Sequence, residues 1–287
     1  MNYNALIENR KSVRAFRDTA VSDKAIADIK NYYEKDCKRL DPELQTVLLV
    51  MDSRAQRSLE GAAGYEEFLV GAPHYLILLS EKKPHAVENA GYMMEDLVLK
   101  LTDLGLDSCW VTFTDSEKIK TALSVDSPLD VAAIVAFGFG EKTAKKMRVN
   151  ILSMSNVDIS AQRQYYSHKK DINELVSLGK WGSVEGLEET MGFYEDMLWQ
   201  SFYAAAQAPS YLNRQPYGFL LLDHAVVLVS TADAYTGAES AALNLGVVML
   251  HFAAVAEQWV GKVVWDLEAK PEVELPEGCR VAAVYHM

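Results

Sequence analysis

At 287 residues the chain can bury one large core or two ordinary ones without disulfides or metals. Its 28 basic side chains face 40 acidic ones, a net charge of −12, which excludes a broad surface for nucleic acid or an anionic membrane. With 49% hydrophobic residues, 24% charged residues and few glycines or prolines, the composition is globular and not disordered.

In chain order, Ser22 caps a predicted helix running to about Lys38, with Ala25, Ile26 and Ile29 at helical spacing. The apolar runs TVLLVM (46–51) and HYLILLS (74–80) read as buried strands. A long helix is predicted from Val87 to Leu104, then a strand SCWVTF (108–113), a short helix from Glu117 to Leu123 and a strand VAAIVAFGF (131–139). The same order recurs: a helix from Leu187 to Ala206, strands GFLLLD (218–223) and AVVLVS (225–230), an apolar helix from Ala241 to Gln258, and a closing strand VAAVYHM (281–287).

The recurrence extends to single residues. Gly91, Met94 and Trp110 are spaced as Gly246, Met249 and Trp265 are, DVAAIVA (130–136) answers RVAAVYH (280–286), and Gln45 and Asp52 answer Gln215 and Asp223. Ordered matches of this kind indicate a duplicated unit of about half the chain, with two related α+β halves packed together. The division is placed at residues 1–160 and 161–287.

The three cysteines, Cys37, Cys109 and Cys279, form neither a disulfide framework nor a C-x-x-C motif. Cys109 lies among apolar neighbours and reads as a buried structural thiol. No apolar signal core precedes the first basic residues, and no uninterrupted apolar run reaches the roughly eighteen residues of a membrane span. A cytoplasmic protein with no membrane or nucleic-acid partner is expected. The six histidines show no metal-ligand spacing, so no metal is expected, and no G-x-G-x-x-G, P-loop or G-x-S-x-G pattern is present.

Two segments look chemical. Arg10-Lys11-Ser12-Val13-Arg14 gathers three cations and a hydroxyl, and in an extended chain Arg10, Ser12 and Arg14 would face one side and could converge on a phosphate. The same residues also suit a solvated basic loop. Ala208-Pro209-Ser210-Tyr211-Leu212-Asn213-Arg214-Gln215-Pro216-Tyr217 joins a helix to a strand and offers donors and acceptors between two stiffening prolines. Lys145-Lys146-Met147-Arg148 follows the strand that ends at Gly140 and reads alone as a basic turn.

Together, RKSVRAF, APSYLNRQPY, and GLDSCWVTF followed by AIVAFGFGEK and a basic cluster resemble the FMN-dependent nitroreductase family. The likeness covers most of residues 3–150, then 195–222 with the long helix and closing strand after it. It implies an α+β, nitroreductase-like fold in which a dimer builds each FMN site across its interface. Carried over, Arg10 and Ser12 match phosphate binders, Lys11 falls in the same segment, and Arg14 matches the cation near the flavin N1 and C2 carbonyl. Pro209, Ser210, Asn213 and Gln215 match the loop given by the other subunit, and Lys146 and Arg148 match a late basic pair at the phosphate. Tyr65 to Phe68 and Tyr211 fall where the family lines its substrate pocket.

The departures from that pattern are informative. WGSVE (181–185) stands where the duplication would place RKSVR, and Leu40-Asp41-Pro42-Glu43-Leu44 precedes Gln45 where Ser210 to Arg214 precedes Gln215. Each half keeps one of the two elements, which suits a fused pseudo-dimer with one composite site and one FMN per chain, monomeric or further dimerised. The resemblance further implies ping-pong hydride transfer from NADH or NADPH through FMN to a nitroaromatic or quinone acceptor, with no obligatory catalytic side chain. A flavin-binding or regulatory protein, a flavin dehydrogenase and a reductive dehalogenase are the alternative readings.

Overall fold

Polar caps open the first helices. Asn2 accepts from the Ala5 amide at the start of α1 (Tyr3–Asn9), and Ser22 accepts from the Ala25 amide at the start of α2 (Asp23–Lys35). This computed structural model describes residues 1–64, 68–141, 146–153, 156–162, 168–193 and 195–287. Next come β1 (Thr46–Asp52), the short α3 (Arg54–Leu59), β2 (His74–Ser80), the long α4 (Ala86–Asp103) and β3 (Asp107–Val111). Helix α5 (Ser116–Leu123), capped by Asp115, leads into β4 (Asp130–Gly138). Where the sequence predicts a basic turn, β5 (Lys146–Ser153) and β6 (Asn156–Gln162) form a hairpin of their own.

Beyond the hairpin lie α6 (Ile172–Leu175), held by a capping box of Asp171 and Glu174, and β7 (Val176–Leu178). The predicted helix 187–206 is two elements, α7 (Leu187–Phe193) and α8 (Glu195–Ala206), with residue 194 outside the described ones. A 3-10 turn (Tyr211–Asn213) precedes β8 (Tyr217–Leu222), β9 (Ala225–Ser230), α9 (Ala238–Ala256), β10 (Trp265–Asp266) and β11 (Arg280–His286).

The two main sheets repeat one topology. The first runs β1-β2-β4-β3 and the second β8-β9-β11-β10, antiparallel throughout, with β7 added in parallel beside β8. In the first sheet, alternation sends Leu76 and Leu78 toward Met93, Met94 and Leu97 of α4, and Tyr75 and Ile77 toward Leu59 of α3 and Ile119 of α5. Burial on both faces explains why HYLILLS is almost continuously apolar.

Helices α4 and α9 make the largest contact between any two elements. A Cβ on Gly91 would lie 2.4 Å from the Leu243 carbonyl oxygen, and one on Gly246 would lie 1.9 Å from that of Glu88. Leu243 stands to Gly246 as Glu88 stands to Gly91, so the crossing is reciprocal, as at a two-fold interface. Helix α9 is long and apolar enough to cross a bilayer, yet 67% of its most apolar window is buried within the molecule, as in a core helix.

The duplication is not followed everywhere. Tyr3 and Ile7 of α1 join the apolar cluster of Phe202, Phe219 and Phe252, so the first helix packs into the second half's core. Segment 181–185 does not repeat the setting of residues 10–14. Trp181 packs against Gly218 at the β8 side of the second sheet, whereas Ser12 is bridged to Ser108 of β3, at the opposite edge of its own sheet.

Candidate functional site

Arg10 is the C-cap of α1, and its backbone turns extended there. Ser12 then bridges in parallel to Ser108, and the Val13 amide donates to the Ser108 carbonyl at 2.9 Å. Pairing with the sheet edge thus fixes the basic segment. Lys11, Ser12 and Arg14 are exposed, whereas the Arg10 side chain is only 9% exposed and its Nε is buried without a hydrogen-bond partner, 3.5 Å from Glu95 Oε1. Burial pushes the Cys109 thiol above its ordinary range while Arg14 and then Arg10 oppose the shift, which puts both guanidiniums within electrostatic reach of β3.

Glu95, on α4, is fully buried. Its Oε2 accepts from Trp110 Nε1 at 2.9 Å, and its Oε1 lies 3.0 Å from Nε2 of the equally buried His251 on α9. The other ring nitrogen, Nδ1, lies 2.9 Å from the Ala204 carbonyl, which can only accept, so Nδ1 carries hydrogen. The Glu95–His251 contact then needs one further proton between the two groups.

The loop 208–215 is held in a conformation that ordinary residues avoid. Leu212, Asn213 and Gln215 have φ of 49°, 56° and 47°, in the left-handed region. Several bonds impose it. Ser210 Oγ accepts from the Gln215 amide at 2.9 Å, and Asn244 Oδ1 of α9 accepts from the Tyr211 amide at 3.0 Å. Gln215 accepts from the Lys170 amide and donates to the Ala206 carbonyl, both at 3.0 Å. Asn213 accepts from Lys169 Nζ at 2.8 Å and donates to the His168 carbonyl at 2.6 Å. Both amide side chains therefore brace the loop.

The first half repeats this anchor: Asn89 Oδ1 of α4 accepts from the Leu40 and Asp41 amides at 3.0 and 3.1 Å. Asn89 and Asn244 each lie two residues before the crossing glycine of their helix. The loop 40–44 has kept its helix anchor while losing the Ser-x-x-Asn residues.

Lys169 joins the two chemical segments. Its Nζ donates to the Ala208 carbonyl at 2.9 Å and to Asn213, so it belongs to the loop. Burial pushes its ammonium down to about 8, with Arg10 acting in the same direction and Glu95 against it. Arg10 thus lies within electrostatic reach of the lysine that braces the loop of Pro209, Ser210, Asn213 and Gln215. Lys146 and Arg148 lie on β5, and their side chains are outside the described residues, as are residues 65–67; Phe68 is exposed. Sequence reasoning missed Glu95, His251, Lys169, Asn89 and Asn244. The available signal was a polar side chain inside an apolar helix, as in GYMMEDLVL and GVVMLHFAA.

The family model described as "Putative TM nitroreductase" matches residues 2–256. A Thermotoga maritima protein described as a "putative nitroreductase" shares the fold across 100% of this chain and 93% of its own, at a TM-score of 0.58 and 20% identity. A nitroreductase family protein from Clostridium novyi overlaps 49% of this chain and 87% of its own, at a TM-score of 0.43 and 20% identity. A Desulfovibrio desulfuricans protein described as a putative nitroreductase in complex with FMN overlaps 51% and 92%, at 0.41 and 20%. Among curated proteins the comparison finds no match. With its family model spanning most of its length and a fold shared from end to end with the Thermotoga protein, the chain belongs to the nitroreductase family.

Proposed function

We propose that this chain is an FMN-dependent oxidoreductase that carries one FMN where its two halves meet and passes hydride equivalents from NADH or NADPH to a nitroaromatic or quinone acceptor. One observation supports the reading: Lys169, hydrogen-bonded to Asn213 of the loop 208–215, feels the charges of Arg10 in the basic segment and of Glu95, 3.5 Å from Arg10, although the segments are far apart in the chain. The halves divide near residue 160, with α1 crossing to the second core.

The residues present fit an FMN. Arg10 Nε is a buried donor with no acceptor, and Ser12 and Arg14 are exposed beside it on a backbone pinned to β3. Arg10 and Ser12 are assigned to the phosphate, where charge-assisted bonds are strongest, and Arg14 to the pyrimidine edge, where a cation stabilises negative charge on the reduced ring. Lys11 adds positive potential. Pro209, Ser210, Asn213 and Gln215 form the rigid wall contributed by the second half, and Lys146 and Arg148 are assigned to the phosphate from the β5 side. When bound, FMN supplies the two-electron chemistry, and the protein binds, orients and excludes water.

The visible spectrum of the purified protein, recorded anaerobically before and after NADH and then NADPH, tests the reading. Oxidised-flavin bands that bleach with either nucleotide, and released flavin near one per chain, are the expected outcome. Flavin that never bleaches would leave a binding protein without turnover, and a ratio near two would remove the single composite site.

A further inference from the structure

Two cations, Arg10 and Lys169, share one buried carboxylate, Glu95. Glu95 lies 3.5 Å from Arg10 and also 3.0 Å from His251 Nε2, with Trp110 Nε1 on its other oxygen, so one carboxylate is divided among several partners. That leaves two cations to one carboxylate, with Arg10 and Lys169 repelling each other electrostatically inside a protein of net charge −12. Repulsion between buried like charges is relieved most directly by an anion between them.

Lys169 also has the donor for one. Of the three hydrogens on its ammonium, two go to Ala208 and Asn213, and the third has no acceptor among the described residues. Its reach is fixed by the loop it braces, with three left-handed residues that hold only because their surroundings fix them. Asn213, matched by resemblance to a ligand contact, instead holds this lysine in place.

We propose that Lys169 is a flavin contact of this site, its ammonium pairing beside Arg10 with a negatively charged oxygen of bound FMN. This rests on the FMN reading above and adds to it the residue through which the second half's loop supplies charge. The groups facing Lys169 are Arg10 after α1, Glu95 on α4 and, through Glu95, His251 on α9; Lys170 is turned away, its Nζ donating to the Tyr217 carbonyl at 3.0 Å. Lysine loses its charge near pH 8 here, whereas arginine at this position would not.

The test is titration of apoprotein with FMN, followed by quenching of flavin fluorescence, for the unaltered protein, Lys169→Met and Lys169→Arg between pH 7 and 9, with thermal melts to confirm folding. Lys169→Met is expected to weaken FMN binding about 10- to 100-fold at pH 7, the scale of a charge-assisted hydrogen bond. The unaltered protein is expected to lose about tenfold in affinity from pH 7 to 9 as the ammonium titrates, and Lys169→Arg to hold its affinity over that range. Repeating the series with riboflavin locates the oxygen: a loss confined to FMN places it on the phosphate, and an equal loss places it on the pyrimidine edge. Unaltered affinity in folded Lys169→Met, or the same decline with pH in Lys169→Arg, overturns the contact while leaving FMN binding intact. Unaltered protein that takes up no FMN overturns both.

Discussion

Arg10, Glu95 and His251 set buried polar atoms side by side after α1 and on α4 and α9. Arg10 Nε is buried with no acceptor, so on the proposed FMN reading this side chain gains a partner when flavin binds. Arg10→Ala is therefore expected to cost FMN affinity about 10- to 100-fold in a fluorescence titration while leaving the apoprotein folded. His251 plays the opposite part. It is the 3.0 Å partner of Glu95 inside the core, so His251→Leu strands a buried carboxyl and should cost about 3–5 kcal/mol in urea denaturation. A second buried acid, Asp96, accepts from the Tyr3 and Tyr32 hydroxyls and the Lys38 amide, each at 2.9 Å. Burial raises its pKa against the pull of those donors. A carboxyl whose pKa is higher in the folded state gives its full stabilisation below the unfolded value near 4 and loses it as pH climbs through the folded value. Asp96→Asn should flatten that part of the stability–pH profile, and an unchanged slope would refute the assignment.

At the scale of elements, the crossing of α4 and α9 is the tightest constraint. Gly246→Ala places a methyl group 1.9 Å from the Glu88 carbonyl oxygen, where only movement of the helices can make room, whereas a Cβ on Gly261 meets open space. The first change should lower stability by about 1–3 kcal/mol and the second by little, read from melting temperatures. Most strands and both long helices were legible beforehand because their apolar period is set by burial: HYLILLS and AVVLVS fall on β2 and β9 residue for residue. The hairpin of β5 and β6 was not, since KKMR reads as a turn when its partner strand is unknown. Basic and loop motifs at residues 10–14 and 208–215 were visible as patterns. Glu95, His251 and Lys169 were hidden, because their meaning comes from partners on other elements and no spacing within the chain encodes that.

Across the whole molecule, two sheets of one topology are joined through one reciprocal helix pair, with α1 of the first half seated in the core of the second. The symmetry is broken where the chemistry gathers. Asn89 and Asn244 anchor equivalent loops, yet only the second loop carries Ser210 and Asn213, and only the first half runs a basic segment along its sheet edge. Because the α4–α9 contact lies within one polypeptide, its partners cannot part on dilution. A site built by two separate chains empties once the protein falls below their dissociation constant. Here the tether holds the halves at a high effective concentration however dilute the protein becomes, so at one fixed excess of free FMN the fraction of protein carrying flavin should be the same at micromolar and nanomolar protein.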